Sequence, residues 1–238
     1  MICRIADLTV EIPEAGDLVP RCQGYLCEEA SEKTGADIII RTDLFEPASW
    51  PGLSYNNIVY MESGIQFELN LMRYNGLRIH ASAVEVDGKA YLFSANSGTG
   101  KSTHTRLWQT LLGEKARIFN DDKPALRYLD GTWYAYGTPW CGKDGININM
   151  KVPLAGICYL KQAPHNRIRR LSTLESMARI IEQTPHKFST AKGLDMLLPQ
   201  VDRLVRSIPV YELENLPEPA AAQLSYETMR RTAEEIGL

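Results

Sequence analysis

The sequence predicts an α/β protein whose core is a mixed β-sheet with flanking helices. A glycine-rich segment, residues 95–102 with the sequence ANSGTGKS, separates an apolar, strand-like segment from a segment with helical spacing. Another strand-like segment, residues 77–84, is joined to the first by Asp87-Gly88, a pair typical of a two-residue hairpin. A hairpin pairs its strands antiparallel, whereas parallel strands need long crossovers, so both kinds of pairing are expected in one sheet.

Length and composition indicate an ordinary globular protein. The chain has 238 residues, 44% of them hydrophobic and 23% charged, enough for one sizeable domain with a small appendage. Its net charge of −3 gives no electrostatic reason to expect a nucleic-acid partner. The apolar runs are too short to span a bilayer, so no membrane partner is expected. Asp7, Glu11 and Glu14 occupy the region where a signal peptide has its apolar core, which favours a cytoplasmic location.

The five cysteines do not form a pattern typical of disulfides or zinc sites. Their number is odd and their spacing irregular, so Cys3, Cys22, Cys27 and Cys158 are expected to be reduced thiols. Cys141 lies in a glycine-rich loop, and its role is left open.

Residues 1–75 are expected to form an N-terminal α+β segment that packs on the core. A short helix is predicted over residues 28–33 and a strand over residues 36–41, followed by a loop rich in proline and glycine. The pattern of residues 64–74 leaves a helix and a strand both open.

Residues 76–238 are expected to form the second unit, a nucleotide-binding domain. Asp130-Gly131 predicts a second hairpin, Ser172 and Glu175 have the spacing of a capping box, and the leucines of residues 103–112 share one helical face. Strands are predicted at residues 77–84, 89–94, 116–119, 125–129, 132–136, 153–160, 168–171 and 210–213. Helices are predicted at residues 103–112, 173–183, 191–206 and 219–237.

The glycine-rich segment has the pattern of a phosphate-binding loop. Gly98 and Gly100 allow consecutive backbone N–H groups to point at an anion, and the helix that begins near Lys101 adds its positive N-terminal end. The Lys101 ammonium suits the β- and γ-phosphates, and the Ser102 hydroxyl suits Mg²⁺. The residues expected to bind the nucleotide are Ser97, Gly98, Thr99, Gly100, Lys101, Ser102 and Thr103.

Two adjacent carboxylates, Asp121 and Asp122, follow the apolar residues 116–119. One can bind Mg²⁺, and the other can accept a proton from an attacking hydroxyl. A polar turn is the alternative, because Asn and Asp favour turns by themselves.

Two histidines stand near these motifs. His80 is predicted in the middle of the strand over residues 77–84, where a phosphate or substrate contact and a core position are both open. His104 is interpreted as a surface or packing residue, although it follows Lys101 by one helical turn.

Residues 137–145 combine Pro139 and Trp140 with three glycines. This segment could close over a substrate and bring Lys143 to a phosphate, or it could be an ordinary surface loop. The sequence leaves both interpretations open.

In their order along the chain, these motifs resemble those of the HPr kinase/phosphorylase catalytic domain. They are also similar to bacterial proteins described as HPr-kinase-like or PEP-carboxykinase-like, over residues 76–214. The matching segments are Ile79-His80-Ala81, residues 95–104, Asn120-Asp-Asp-Lys-Pro124 and Gly137-Thr-Pro-Trp140.

The resemblance implies a P-loop in a mixed sheet of the HPr kinase/PEP carboxykinase type, with ATP and Mg²⁺ as cofactors. It implies a kinase that transfers the γ-phosphoryl group to a serine-type hydroxyl. Lys101 would hold the phosphates, Ser102 and Asp121 the metal, and His80 would lie near the transferred group. Asp121 and Asp122 are the catalytic carboxylates, one of them the general base.

The chain differs from HPr kinase in three places. Where that family has a longer, distinct N-terminal domain, residues 1–75 of this chain show no resemblance to it. Cys141-Gly142-Lys143 stands where that family has an arginine-glycine pair, and the HPr-docking helix is not recognisable in residues 215–238. The acceptor is therefore left open between a protein, a peptide and a small metabolite, and the donor between ATP, GTP and pyrophosphate. A PEP-carboxykinase-like lyase and a non-catalytic nucleotide-binding regulatory module are the alternative functions, and a homo-oligomer is left open.

Overall fold

The computed structural model describes residues 1–27, 35–183 and 191–238 of the chain. The helix expected over residues 28–33 lies outside the described residues. Within the described ranges, none of the helices has both the length and the apolar character needed to cross a bilayer.

The N-terminal region forms a small three-stranded sheet next to two helices. Strands β1 (Ile2–Ile5) and β2 (Leu8–Glu11) pair antiparallel, and β3 (Ile38–Ile39) adds to β2 in parallel. Helix α1 spans Leu18–Cys22, and helix α2 spans Tyr55–Leu71. The strand expected over residues 36–41 is thus present, but shorter than predicted.

Residues 64–74, whose sequence pattern left a helix and a strand both open, are helical and mostly belong to α2. The Ser54 hydroxyl caps it by accepting a hydrogen bond from the Asn57 amide, and a 3₁₀ turn at Met72–Tyr74 follows. Because α2 buries polar as well as apolar side chains, including Glu62 and Glu68, it lacks the single apolar stripe that marks a surface helix.

The main sheet has nine strands in the described part of the chain and is mixed, as predicted. The paired strands run in the order β4-β8-β9-β10-β6-β5-β7, with β12 on β10 and β11 on β12. β10 pairs in parallel with β6 and β12, and the other pairs are antiparallel. The strands are β4 (Gly76–Arg78), β5 (Ala81–Val86), β6 (Lys89–Ser94), β7 (Ala116–Asp122), β8 (Ala125–Leu129), β9 (Thr132–Tyr136), β10 (Lys151–Gln162), β11 (Arg167–Arg170) and β12 (Val210–Asn215).

Helices cover both faces of this sheet. Helices α3 (Lys101–Leu112) and α6 (Pro219–Glu235) pack on one face, and α4 (Thr173–Glu182) and α5 (Ala191–Ser207) on the other. The alternation along β6 shows this, since Leu92 belongs to the core under α4 and α5 while its neighbours Tyr91 and Phe93 belong to the core under α3 and α6.

Both predicted hairpins are confirmed. In each turn the two central residues have positive φ, +51° and +76° at Asp87 and Gly88, and +48° and +87° at Asp130 and Gly131. That pattern matches the type I′ turn, whose twist fits two antiparallel strands. The capping box of α4 is also present, because the Ser172 hydroxyl and the Glu175 carboxylate bond each other's backbone amides.

The continuous strand predicted over residues 77–84 is wrong. The chain bends at Ile79 and His80, so β4 ends before the bend and β5 begins after it. β4 pairs with β8, whereas β5 pairs with β6 and β7. The apolar pattern continues through the bend because both strands are buried, which hides the change of partner from the sequence.

The prediction that the leucines of α3 form its buried face is also partly wrong. Leu111 is 39% exposed, whereas His104, Thr105 and Trp108 are buried against the sheet and α6. His104 Nδ1 has no hydrogen-bond partner among the described residues, but the other polar side-chain atoms are bonded: Thr105 to Ser82, and His104 Nε2 and Trp108 Nε1 to the Ser225 hydroxyl. Paired in this way, the polar groups can lie in the core at little cost.

Candidate active site

The sheet register brings the predicted site residues to one edge. Ala81, the first residue of β5, pairs with Ser94 at the end of β6 and with Asp122 at the end of β7. β6 and β7 therefore end at the same edge of the sheet, on either side of β5. The glycine-rich loop continues from the end of β6, and the carboxylates occupy the end of β7.

The loop has the bent backbone that its glycines predict. Gly98 has φ of +79° and Gly100 has φ of +111°, a region that disfavours residues with a Cβ. Helix α3 begins at Lys101, whose ammonium donates a hydrogen bond to the Ala95 carbonyl 3.1 Å away. Burial lowers the pKa of Lys101 from its usual value, while Asp122 and Asp121 oppose that effect.

The side chain of Ser102, in the first turn of α3, contacts the side chain of Asp121, near the end of β7. The Ser102 hydroxyl donates to the Asp121 carboxylate, with distances of 2.9 and 3.1 Å to its two oxygens. Asp121 is only 7% exposed. These are hard oxygen donors of the type that Mg²⁺ prefers, so the pair could hold a magnesium ion.

Asp122 is held between two nitrogen donors. One of its carboxylate oxygens lies 2.8 Å from His80 Nε2 and 3.2 Å from Lys123 Nζ. The backbone of Asp122 has φ of +115°, a conformation that costs a non-glycine residue energy and persists only when the surroundings impose it. His80 reaches this position from the bend between β4 and β5, not from the middle of a strand as predicted.

The carboxyl group of Asp122 is ionised over the physiological pH range. Burial by itself raises its pKa, but the hydrogen bond from His80 and the charge of Lys123 outweigh burial and lower the pKa to about 2. Burial also lowers the pKa of Lys123, against the opposing effect of Asp122. Sequence reasoning did not assign a role to Lys123, although it follows the two carboxylates directly.

The backbone of the loop over residues 137–145 is hydrogen-bonded to the end of β7, the strand that carries the two carboxylates. The Gly142 amide donates to the Asp121 carbonyl at 2.5 Å, and the Asn120 side-chain amide donates to the Thr138 carbonyl at 2.9 Å. The thiol of Cys141 is buried, and burial raises its pKa. Its carbonyl accepts hydrogen bonds from Arg21 and Tyr60, so residues before the core help to position this loop.

These elements enclose a cleft of about 530 Å³, named here the phosphate cleft. The loop over residues 137–145 forms one wall, where Lys143 lines the cleft and Asp144 forms an ion pair with Arg106 at 2.6 Å. The predicted residues that the cleft brings together are His80, Ser97, Gly98, Gly100, Lys101, Ser102, Thr103, Asp121 and Asp122. Thr99 lies outside this set and lines the neighbouring clefts on the other side of the loop.

His104 does not face the phosphate cleft. Its ring packs on Phe93 with centroids 4.6 Å apart, and its Nε2 lies 2.9 Å from the Ser225 hydroxyl. Burial lowers the pKa of His104 to about 4, which keeps the ring neutral near pH 7. Of the two interpretations given for His104, a surface or a packing residue, the structure shows packing.

A second cleft of about 640 Å³ adjoins the outer side of the loop. Thr103 and Leu107 of α3 line one side, and Pro164, Leu216 and Pro217 line the other. Its apolar walls and its position beside the loop suit the base of a nucleotide. Sequence reasoning assigned no role to these residues, so this cleft was not predicted.

Comparisons with known proteins add the following findings. The family model described as "SynChlorMet cassette protein ScmC" matches residues 56–216, a range that includes the glycine-rich loop and both carboxylates. None of the curated proteins compared with the chain matches it.

Among solved structures, the chain is similar to the Hpr(Ser) kinase/phosphatase from Coxiella burnetii. The sequences are 11% identical, the alignment covers 66% of this chain and 95% of that chain, and the TM-score is 0.36. The ScmC family model spans well over half of the sequence, and the chain therefore belongs to the SynChlorMet cassette protein ScmC family.

Proposed function

We propose that this ScmC-family protein is an ATP- and Mg²⁺-dependent kinase that transfers the γ-phosphoryl group to a hydroxyl group. The observation that carries the proposal is the place of Asp122. Its ionised carboxylate lines the same cleft as Lys101 and Ser102 of the glycine-rich loop. A fixed carboxylate beside a phosphate-binding loop is the combination that phosphoryl transfer to an alcohol requires.

The step would proceed by in-line displacement. The acceptor oxygen forms a bond to the γ-phosphorus, the bond from that phosphorus to the bridging oxygen breaks, and ADP leaves. The hydroxyl proton passes to Asp122. A carboxylate with a pKa of about 2 is a weak base, which suits a loose transition state in which the proton leaves late.

The other residues would stabilise charge and hold geometry. Lys101 and the loop amides would neutralise the phosphate oxygens, and His80 and Lys123 would keep the Asp122 carboxylate oriented. Ser102 and Asp121 would hold Mg²⁺, which when bound supplies positive charge to the phosphate oxygens.

We also propose that the sheet and its loop are of the HPr kinase/PEP carboxykinase type and that residues 76–238 form the nucleotide-binding unit. The antiparallel hairpin that leads directly into the loop strand supports this assignment. Residues 1–75 would then be the accessory unit. Their contacts with the core, such as the Tyr60 hydroxyl on the Cys141 carbonyl, support a role beside the site.

Calorimetric titration with ATP and Mg²⁺, followed by an assay of ADP release, tests the proposal. Wild-type protein is expected to bind ATP, and Lys101→Ala to weaken binding at least tenfold and to abolish turnover. The control is Lys115→Ala, which removes an exposed lysine at the far end of α3. ATP binding without ADP release in the presence of any hydroxyl acceptor would favour a regulatory module, and ATP-dependent release of carbon dioxide from oxaloacetate would favour a lyase.

A further inference from the structure

A third cleft lies on the other side of Asp122 from the glycine-rich loop. It has a volume of about 480 Å³ and is named here the apolar cleft. Its walls are mostly side chains of α2 and of the segments before β4 and after β9, namely Trp50, Tyr60, Met61, Ile65 and Trp140. Sequence reasoning did not find it, because its walls come from segments far apart in the chain.

The aromatic walls present their apolar faces because their polar atoms are already bonded within the protein. Trp50 Nε1 donates to Glu62 at 2.6 Å, the Tyr60 hydroxyl donates to the Cys141 carbonyl at 2.7 Å, and Trp140 Nε1 donates to Ser63 at 3.0 Å. A ligand in this cleft would therefore meet fixed hydrocarbon surfaces, which bind apolar groups best.

One end of the apolar cleft is polar. Arg78, Asp122 and Lys123 line it. Within the described residues these charges pair off: Arg78 with the buried Glu68 at 2.8 Å, and Lys123 with Asp122 at 3.2 Å. A ligand group at this end meets hydrogen-bonding atoms but little net charge, which suits a neutral hydroxyl better than a carboxylate or a phosphate.

Asp122 lines both the apolar cleft and the phosphate cleft. A hydroxyl group bonded to its carboxylate from the apolar side would lie next to the place proposed for the phosphates. We infer that the apolar cleft is the acceptor subsite. The acceptor is an uncharged alcohol with an aromatic or branched apolar group beside the hydroxyl. The inference rests on the proposed kinase function and adds the chemical class of its substrate.

Two matched pairs of probes test the acceptor class and its source. The peptide pair is N-acetyl-Ser-Phe-amide and N-acetyl-Ser-Gly-amide, and the small-alcohol pair is 2-phenylethanol and ethanol. Binding is followed by tryptophan fluorescence, to which Trp50 and Trp140 in the cleft wall contribute, and transfer is followed with labelled ATP. The variant is Met61→Lys, which places a charge in the apolar wall. The control is Tyr55→Lys on the same helix, at a residue that is 62% exposed.

The aromatic member of at least one pair is expected to bind at least tenfold more tightly and to react with at least tenfold higher kcat/KM than its partner. In Met61→Lys, the preference for the aromatic probe should fall close to one in both binding and kcat/KM, while the affinity for ATP stays unchanged. Tyr55→Lys should keep the wild-type preference. The pair that shows the preference identifies a peptide or a small alcohol as the source.

Failure of the kinase proposal and failure of the acceptor inference would give different results. Saturable binding of the aromatic probes without phosphoryl transfer to any probe would overturn the kinase proposal and leave the cleft as a binding site. Equal binding of both members of each pair, or a preference that survives Met61→Lys, would overturn the acceptor inference whatever the ATP results.

Discussion

The Ser102 hydroxyl lies 2.9 Å from a carboxylate oxygen of Asp121, although Ser102 lies in the first turn of a helix and Asp121 near the end of a strand. The contact exists because β6 and β7 end at the same edge of the sheet, with β5 paired between them. Two oxygen donors are thereby held beside the glycine-rich loop before any ligand arrives, which would reduce the ordering needed to bind the proposed Mg²⁺ and nucleotide.

Removal of either oxygen donor is expected to weaken the Mg²⁺ dependence of nucleotide binding. Ser102→Ala and Asp121→Asn should each raise at least tenfold the Mg²⁺ concentration that gives half of the nucleotide-dependent increase in Tm. The control is Asp130→Asn, which makes the same chemical change in a hairpin turn that tolerates Asn. An unchanged Mg²⁺ titration in both variants would remove these residues from the metal site.

Loss of the Asp122 negative charge is expected to slow phosphoryl transfer while sparing nucleotide affinity. Asp122→Asn keeps the size of the side chain but cannot accept the proton, so kcat should fall by about 10²- to 10⁴-fold. The dissociation constant for ATP should stay within about threefold of the wild-type value, since in the proposed mode of binding the phosphates would contact the loop instead. Single-turnover transfer and calorimetric titration measure the two quantities. A variant with wild-type kcat would exclude Asp122 as the base.

The same carboxylate is expected to contribute stability that acid removes. The pKa of Asp122 is about 2 in the folded protein against 3.8 ordinarily, so the unfolded chain binds the proton more readily. Its contribution of about 2 kcal/mol is present above pH 4 and is lost as the pH falls through 2. In urea unfolding, the difference in unfolding free energy between wild type and Asp122→Asn should shrink by about that amount from pH 5 to pH 2. A constant difference would show that the carboxylate gains no stabilisation from His80 and Lys123.

The contribution of His104 to stability is expected to change with pH in a higher range than that of Asp122. Burial lowers its pKa from 6.5 to about 4, so its neutral form stabilises the fold above pH 6.5 and that stability is lost as the pH falls toward 4. The loss is about 3 kcal/mol. His104→Gln should make the unfolding free energy correspondingly less dependent on pH between 7 and 4, whatever its absolute stability. Equal slopes in the two proteins would contradict the burial argument.

Local features of the chain were predictable because their causes are local. Gly98 and Gly100 permit the bent loop, and Asp87-Gly88 fits the hairpin turn, whatever surrounds them. Where the cause was not local, prediction failed or stayed open. Because α2 buries polar as well as apolar side chains, its sequence shows no clear helical period of hydrophobicity. The bend at His80 follows from a change of strand partner between β4 and β5.

By itself, the sequence determined the mixed sheet, the bent glycine-rich loop and the presence of carboxylates downstream of it. Only the tertiary structure decided that His80 and Lys123 both bond Asp122, and that Trp50 and Trp140 line a cleft on its other side. The physical reason is that a turn or a cap depends on neighbouring residues. A pKa or a cleft depends on burial and on charges contributed by segments that meet only when the chain folds.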